Sequence, residues 1–203
     1  MIDLLAAWSE HRADTELNIE LIDTPQFVFD CDQTLINGDI GEATLRYAID
    51  QRWVISHDAW WQHLFTSSYS NADVNGWRKH YEEEVACRVA VPSKVLSQEL
   101  WQAYQQLCIE EIRSAYIFAA RLAYGRSPVE LALITDASLR DNMGVSERLP
   151  MKQFIKQLQG LGQVWVVSSS HCDIVRVIAH RYQIPSHQVI GIDFIRTPEQ
   201  NIY

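Results

Sequence analysis

The hydrophobic pattern changes character twice along the chain. In residues 2–22, Ile2, Leu5, Ala6, Leu17 and Leu21 are set among charged positions, which predicts a helix that ends before Pro25. Phe27-Val28-Phe29 is a short, wholly apolar run of strand formers that closes on Asp30. Without alternation, such a run predicts a strand covered on both faces, as in a parallel sheet. From Asp39 to Met143 strand signals nearly vanish, and helices are predicted over 39–51, 57–66, 71–86, 92–124 and 127–139. In the longest, Leu96, Leu100, Tyr104, Leu107, Glu111, Ala115 and Phe118 follow one face with a single polar interruption. Pro92 and Pro128 suit first helical turns, and Gly125 and Gly144 mark stops.

The alternating style then returns. A helix is predicted over 150–160, with Met151, Phe154, Ile155 and Leu158 as its apolar face, and Gly162 turns the chain. Val164-Trp165-Val166-Val167 reads as a second buried strand ending at Ser168-Ser169-Ser170, followed by a helix over 173–182 and a third strand over 189–192. The expected fold class is therefore α/β. A Rossmann-like parallel-sheet core, residues 1–37 plus 151–203, is split by an all-helical insertion over 38–150.

Composition narrows the function classes. The 203 residues are 47% hydrophobic and 21% charged, which excludes a disordered or fibrous chain. Seventeen Lys and Arg against 26 Asp and Glu give a net charge of −9, so neither nucleic acid nor an anionic membrane is an expected partner. No stretch approaches the roughly 18 apolar residues of a membrane span. The N-terminus, with Asp3 and no basic leader, does not read as a signal peptide. The cysteines at 31, 87, 108 and 172 show neither a C-x-x-C nor close Cys/His pairing, so a cytoplasmic protein with reduced thiols and no zinc site is expected.

The chemistry concentrates at Phe29-Asp30-Cys31-Asp32-Gln33-Thr34-Leu35. Carboxylates two residues apart, just beyond a parallel strand, project into the crevice where α/β sheets bind ligands. Two acids so close repel unless a cation joins them or one stays protonated. With Mg²⁺ they suit phosphoryl transfer, one attacking phosphorus and the other exchanging a proton with the leaving alcohol. Ser168 and its neighbour Ser169 would hold the phosphoryl group at a helix N-terminus. The bland reading makes Asp30 and Asp32 turn residues and Ser168 a helix cap. Cys31, pointing the other way between the two acids, reads as packing. Residues Glu82-Glu83-Glu84 read as a solvated helix face, His171 as a loop bystander, and His57, His63 and His80 as lacking metal spacing.

Apolar strand, D-x-D-x-T-L, long insertion, apolar strand and Ser together resemble the haloacid dehalogenase (HAD) superfamily, and within it the phosphoserine-phosphatase-like branch. The resemblance rests on FVFDCDQTL and VWVVSSS and covers most of the chain outside the insertion. It implies that Asp30 is the nucleophile, Asp32 the general acid/base and Ser168 the phosphate-binding hydroxyl. It also implies Mg²⁺ held by the Asp30 carboxylate and the Asp32 main-chain carbonyl, and a helical cap over 38–150. Asn37-Gly38-Asp39-Ile40-Gly41-Glu42-Ala43 places Asp39 where phosphoserine phosphatases hold the substrate amino group. Asp39 with Glu42 is also similar to phosphorylcholine phosphatases. A capping box at the start of the first insertion helix explains the same two acids, and both readings stand. Trp53, Trp60, Trp61, Trp77 and Trp101, with Tyr69 and Tyr81, suit either cation–π binding of an ammonium group or packing of the insertion.

Two pieces of the family pattern are missing after the second strand. No Lys follows Lys156, and the later acids are Asp173, Asp193 and Glu199, none of them after a fourth apolar strand. The expectation is a chain truncated relative to its family. The first strand then has an open edge to be covered by a second chain, as in a homodimer, or by the N-terminal helix. Two readings of function follow. One is a Mg²⁺-dependent phosphomonoester hydrolase working through an aspartyl phosphate on a small phosphorylated metabolite, such as phosphoserine or phosphocholine. The other is a catalytically inactive remnant or interaction module.

Overall fold

The computed structural model describes residues 24–64 and 69–193. The predicted N-terminal helix, the last residues of the predicted 57–66 helix, and Arg196 and Glu199 lie outside them. The sheet has three parallel strands in the order β1 (Gln26–Asp30), β4 (Gln163–His171), β5 (Val189–Ile192). Two short strands, β2 (Ile36–Asn37) and β3 (Ser146–Glu147), pair antiparallel away from it. Between them run α1 (Ile40–Asp50), α2 (Asp58–Trp61), α3 (Asn71–Ala86), α4 (Lys94–Glu110), α5 (Ile112–Ala120) and α6 (Pro128–Arg140). Helix α7 (Leu149–Gln159) leads into β4, and α8 (Cys172–Arg181) leads from β4 to β5. The fold is α/β: a parallel-sheet core interrupted by a helical insertion.

Register explains which side of the sheet is dry. Phe27 pairs with Val164, and Phe29 with Val166, which in turn pairs with Val189. These residues share one face, and Phe29 meets Phe154 of α7 edge to face at 6.1 Å. Right-handed crossovers advancing in one direction place α7 and α8 on the same side. The alternate residues Val28, Val167 and Ile190 remain 63%, 40% and 53% exposed. Among the described residues the sheet is therefore covered on one face, not on both as the unalternating runs predict, and β1 is an edge strand.

The insertion leaves and re-enters through a tight neck. Leu35 O accepts from Arg148 N–H at 3.1 Å and from the Tyr182 hydroxyl. Asn37 donates to Ser146 Oγ at 3.2 Å and accepts from Arg148 Nε at 2.8 Å. Gly38 has φ +91°, and a Cβ there would lie 2.4 Å from Gly144 O, so only glycine lets the two neck segments touch. Arg181 of α8 ties the insertion to the core, reaching Asp136 at 2.7 Å and Glu147 at 3.1 Å.

The insertion packs around aromatic rings. Trp60 stacks on Phe118 at 4.4 Å and meets Trp61 edge-on at 4.7 Å, and both indoles are buried. Two expectations need correction. The helix predicted over 92–124 breaks at Glu111, which adopts φ −151° and ψ 87°. That residue is the single polar interruption of the apolar face, and the break turns its carboxylate out to solvent instead of burying it. Glu84, read as solvated, is buried against Arg52 at 2.6 Å and accepts from Ser93 N–H at 2.9 Å. Arg52 in turn donates to Ser97 Oγ and Ser93 O, so the buried charge is fully bonded.

Glycine substitutions separate neck from surface. Gly38→Ala should lower stability by about 1–3 kcal/mol through steric and backbone strain. Gly76→Ala, inside α3 with no atom within 4 Å of the new methyl, should raise it by about 0.5–1 kcal/mol. Urea midpoints of the two variants test the contrast.

Candidate functional site

The carboxylates sit where strand ends and the first insertion helix converge. Asp30 is the last residue of β1 and is exposed, at the register position opposite Val167. The chain then turns tightly, Cys31 O accepting from the N–H groups of Thr34, Leu35 and Ile36. Cys31 is fully buried in the core, as packing requires, and burial with the neighbouring acids pushes its thiol pKa up.

Asp32 is the hub. Its Oδ1 accepts from Ile40 N–H at 2.8 Å, and its Oδ2 accepts from Ser168 Oγ at 3.2 Å and Ser170 Oγ at 3.3 Å. The ends of adjacent strands β1 and β4 are thus joined by side chains 136 residues apart. Burial, and then the negative charge of Asp39, push the Asp32 pKa up to about 6, against the restraining effect of its three donors. Asp39 caps α1, accepting from Glu42 N–H at 2.8 Å, so the capping explanation of this residue holds. Its pKa is raised too, first by burial and also by Glu42 and Asp30. Among the described residues no ion pair reaches Asp30, Asp32 or Asp39.

Beside this hub lies a small recess of about 20 Å³. Asp39, the N-cap of α1, Glu42 of α1, Tyr104 of α4, Tyr116 of α5, and Ser169, Ser170 and His171 of β4 line it. Tyr104 donates to Glu42 Oε1 at 3.3 Å. The structure therefore groups Asp32 with Ser168, and Asp39 and Glu42 with Ser169, in neighbouring sets. Asp30 stands at the exposed tip. The buried rings Trp60 and Trp61 pack the insertion, and the rings at the recess are those of Tyr104, Tyr116 and His171.

Ser170, Tyr104 and Tyr116 were not singled out from the sequence. Strand alternation carries a signal for the first, because Ser170 falls on the same side of β4 as Ser168. The tyrosines lie on helices whose approach to β4 is set by tertiary packing. His171 is also corrected: it ends β4, is 2% exposed, and accepts from Asp173 N–H at 3.3 Å, capping α8.

Two places merit a metal test. At Asp30 and Asp32 the free donors are hard oxygens, the Asp30 carboxylate and the Asp32 carbonyl. Both Asp32 carboxylate oxygens are already engaged. Two such donors suit Mg²⁺, which keeps waters and substrate oxygens for the rest of its shell. The second place is His171, Cys172 and Asp193, whose donor atoms lie within 4.8 Å of one another. There Nδ1 of His171 faces a backbone N–H, which leaves the ring proton on Nε2, the atom a metal would need. Burial also pushes the Cys172 pKa up to about 12. In this protonation state the trio is a hydrogen-bonded cap at the start of α8.

The fold has solved counterparts. A structure described as a conserved functionally unknown protein from Anaerococcus prevotii matches with a TM-score of 0.60 at 16% identity, over 88% of this chain and 64% of that one. A phosphoserine phosphohydrolase-like protein from Francisella tularensis matches with a TM-score of 0.42 at 12% identity, over 88% of this chain and 62% of that one. The chain thus spans less than two thirds of either structure, and the first likeness concerns the fold alone. No family model and no curated protein matches the chain.

The Asp32 shift has a sign that solution measurement can read. A carboxyl whose folded pKa is raised adds stability below its unfolded pKa and loses it as pH rises through the folded value. Moving from 3.8 to about 6 corresponds to on the order of 3 kcal/mol. Without divalent cations, the protein should lose stability between pH 4 and 7. Asp32→Asn should flatten that fall, gaining relative to wild type at pH 8 and not at pH 4. Parallel curves for the two proteins would contradict the burial argument.

Proposed function

We propose that the chain is a phosphomonoester hydrolase of the HAD type, acting through an aspartyl phosphate on a small amino-alcohol phosphate. The observation that carries the reading is the hydrogen bond from Ser168 to Asp32 across the ends of β1 and β4. It sets a half-buried carboxyl of raised pKa beside a hydroxyl at the open end of a parallel sheet, with a second acid, Asp30, at the strand tip.

In this reading Asp30 attacks phosphorus and the bond from phosphorus to the leaving oxygen breaks. Asp32, whose raised pKa keeps a fraction of it protonated near neutral pH, gives its proton to that oxygen. A water then attacks the phosphoaspartate, Asp32 takes the water's proton, and the bond from phosphorus to Asp30 breaks to release phosphate. Ser168 and Ser169 hold phosphoryl oxygens. The Asp30 carboxylate and Asp32 carbonyl would hold Mg²⁺, which supplies charge neutralisation on those oxygens when bound.

The recess favours the amine end of a substrate. Asp39 and Glu42 form an acid pair that no Lys or Arg reaches among the described residues, in a volume that one water fills. An ammonium group matches that size and charge, with three N–H donors for carboxylates and hydroxyls. A trimethylammonium group is bulkier and has no N–H to offer these acceptors. The reading therefore favours phosphoserine or phosphoethanolamine over phosphocholine, although the sequence pattern suits both.

A second reading, a binding module that keeps the fold without turnover, is favoured by the absence of any Lys or Arg paired with these acids among the described residues. Its partner would be a second chain laid on the open β1 edge. The assay separates the two readings. Mg²⁺-dependent release of phosphate should vanish in Asp30→Asn and fall about 10²–10⁴-fold in Asp32→Asn, and beryllofluoride should trap at Asp30. Full activity in Asp30→Asn, or none in wild type, would end the hydrolase reading. Across a substrate panel, primary amines should lead and Asp39→Ala should erase their lead. A clear win for sugar phosphates would overturn the substrate assignment.

A further inference from the structure

Ser168 has two tasks that conflict. Its hydroxyl donates to Asp32 Oδ2 at 3.2 Å, while its oxygen accepts from Ser170 N–H at 3.1 Å. A hydroxyl has one proton to give. When Ser168 turns that proton to a phosphoryl oxygen, it leaves Asp32. The other donor at Oδ2 is the Ser170 hydroxyl, at 3.3 Å. Both contacts are long for a hydroxyl on a carboxylate, as expected where two donors share one oxygen. With Ser168 withdrawn, Ser170 takes the whole of that oxygen, and Ile40 N–H keeps the other at 2.8 Å.

The space for this hydroxyl is built in. A Cβ on Gly41 would stand 2.6 Å from Ser170 Oγ, so any larger residue at 41 displaces the donor. Gly41 has no turn or positive φ to explain it; it lies in the first turn of α1, where glycine weakens a helix. The Ser170 backbone meanwhile holds Ser168 in place, so both serines are fixed in one ring with Asp32.

We infer that Ser170 is a positioning residue that keeps the Asp32 carboxyl aimed at the leaving oxygen while Ser168 serves the phosphoryl group, and that Gly41 keeps its hydroxyl in place. The inference rests on the hydrolase reading above.

Leaving groups give the test. Phosphoserine loses an alkoxide that needs a proton, whereas p-nitrophenyl phosphate loses a stable phenolate. Ser170→Ala should lower kcat about ten- to hundredfold more on phosphoserine than on p-nitrophenyl phosphate, with KM little changed, as removing one hydrogen-bond partner from a part-buried polar group implies. Ser170→Thr should restore most of the loss, and Gly41→Ala should reproduce the leaving-group bias with the hydroxyl still present. Ser168→Ala should instead raise KM on both substrates. An equal fall on both substrates in Ser170→Ala, in protein that Asp30→Asn inactivates, would overturn the inference and leave the hydrolase reading standing. A double-mutant cycle on urea unfolding, Ser170→Ala with Asp32→Asn, reads the contact without turnover. Non-additive effects support it, and additive effects overturn it. Wild-type protein inert on both substrates overturns the catalytic role, whatever the cycle gives.

Discussion

The structure depends on closing a long insertion at its neck. The chain leaves the core at Asn37 and must return to the same place 109 residues later, where Asn37 meets Ser146. Loop-closure entropy grows only slowly with length, so the span itself is tolerable once the ends are fixed. What fixes them is a small set of bonds around Leu35, Asn37, Arg148 and Tyr182, with Gly38 pressed against Gly144. From this closure follows the site: Ile40 begins α1 just past the neck, and its N–H reaches Asp32. The core loop and the insertion are therefore joined at the neck and again at the carboxylate hub.

The hub concentrates negative charge that no Lys or Arg pairs with among the described residues. Helix α1 offers its N-terminus to Asp32 and Asp39, and such a terminus favours anions. Three bonds to Asp32 still leave its proton held more tightly than in water, because burial outweighs them. Elsewhere the same chain pairs its buried charge fully, as at Arg52 and Glu84. The contrast separates a structural ion pair from an arrangement suited to a ligand.

Much of this was legible in the sequence where local rules and global fold agree. The strands at Phe27, Val164 and Val189 announced themselves by apolar runs, and Asp30 and Asp32 by their place after the first of these. Ser168 was readable because strand ends in a parallel sheet meet. Capping chemistry was half plain, since Asp39 caps α1 as its box reading requires while the Glu42 side chain accepts from Tyr104 instead of closing the box. The rest depended on tertiary placement. Glu111 breaks a helix because its carboxylate would otherwise be buried, and Glu84 is buried because Arg52 lies 32 residues away to receive it. His171 and Ser170 take their roles from the extension of β4, nine residues where the apolar run suggested four. No periodicity reports such an extension, because its polar residues are satisfied by partners distant in sequence.

The aromatic packing of the insertion has an optical consequence. Indoles held 4.7 Å apart and nearly perpendicular, as Trp60 and Trp61 are, have excited states that mix. Such a pair gives a bisignate circular-dichroism couplet that isolated chromophores lack. Trp165, the indole of β4, belongs instead to the sheet and donates to Gln26. The insertion and the sheet thus absorb through different rings in different surroundings, and each carries its own spectroscopic handle within one short chain.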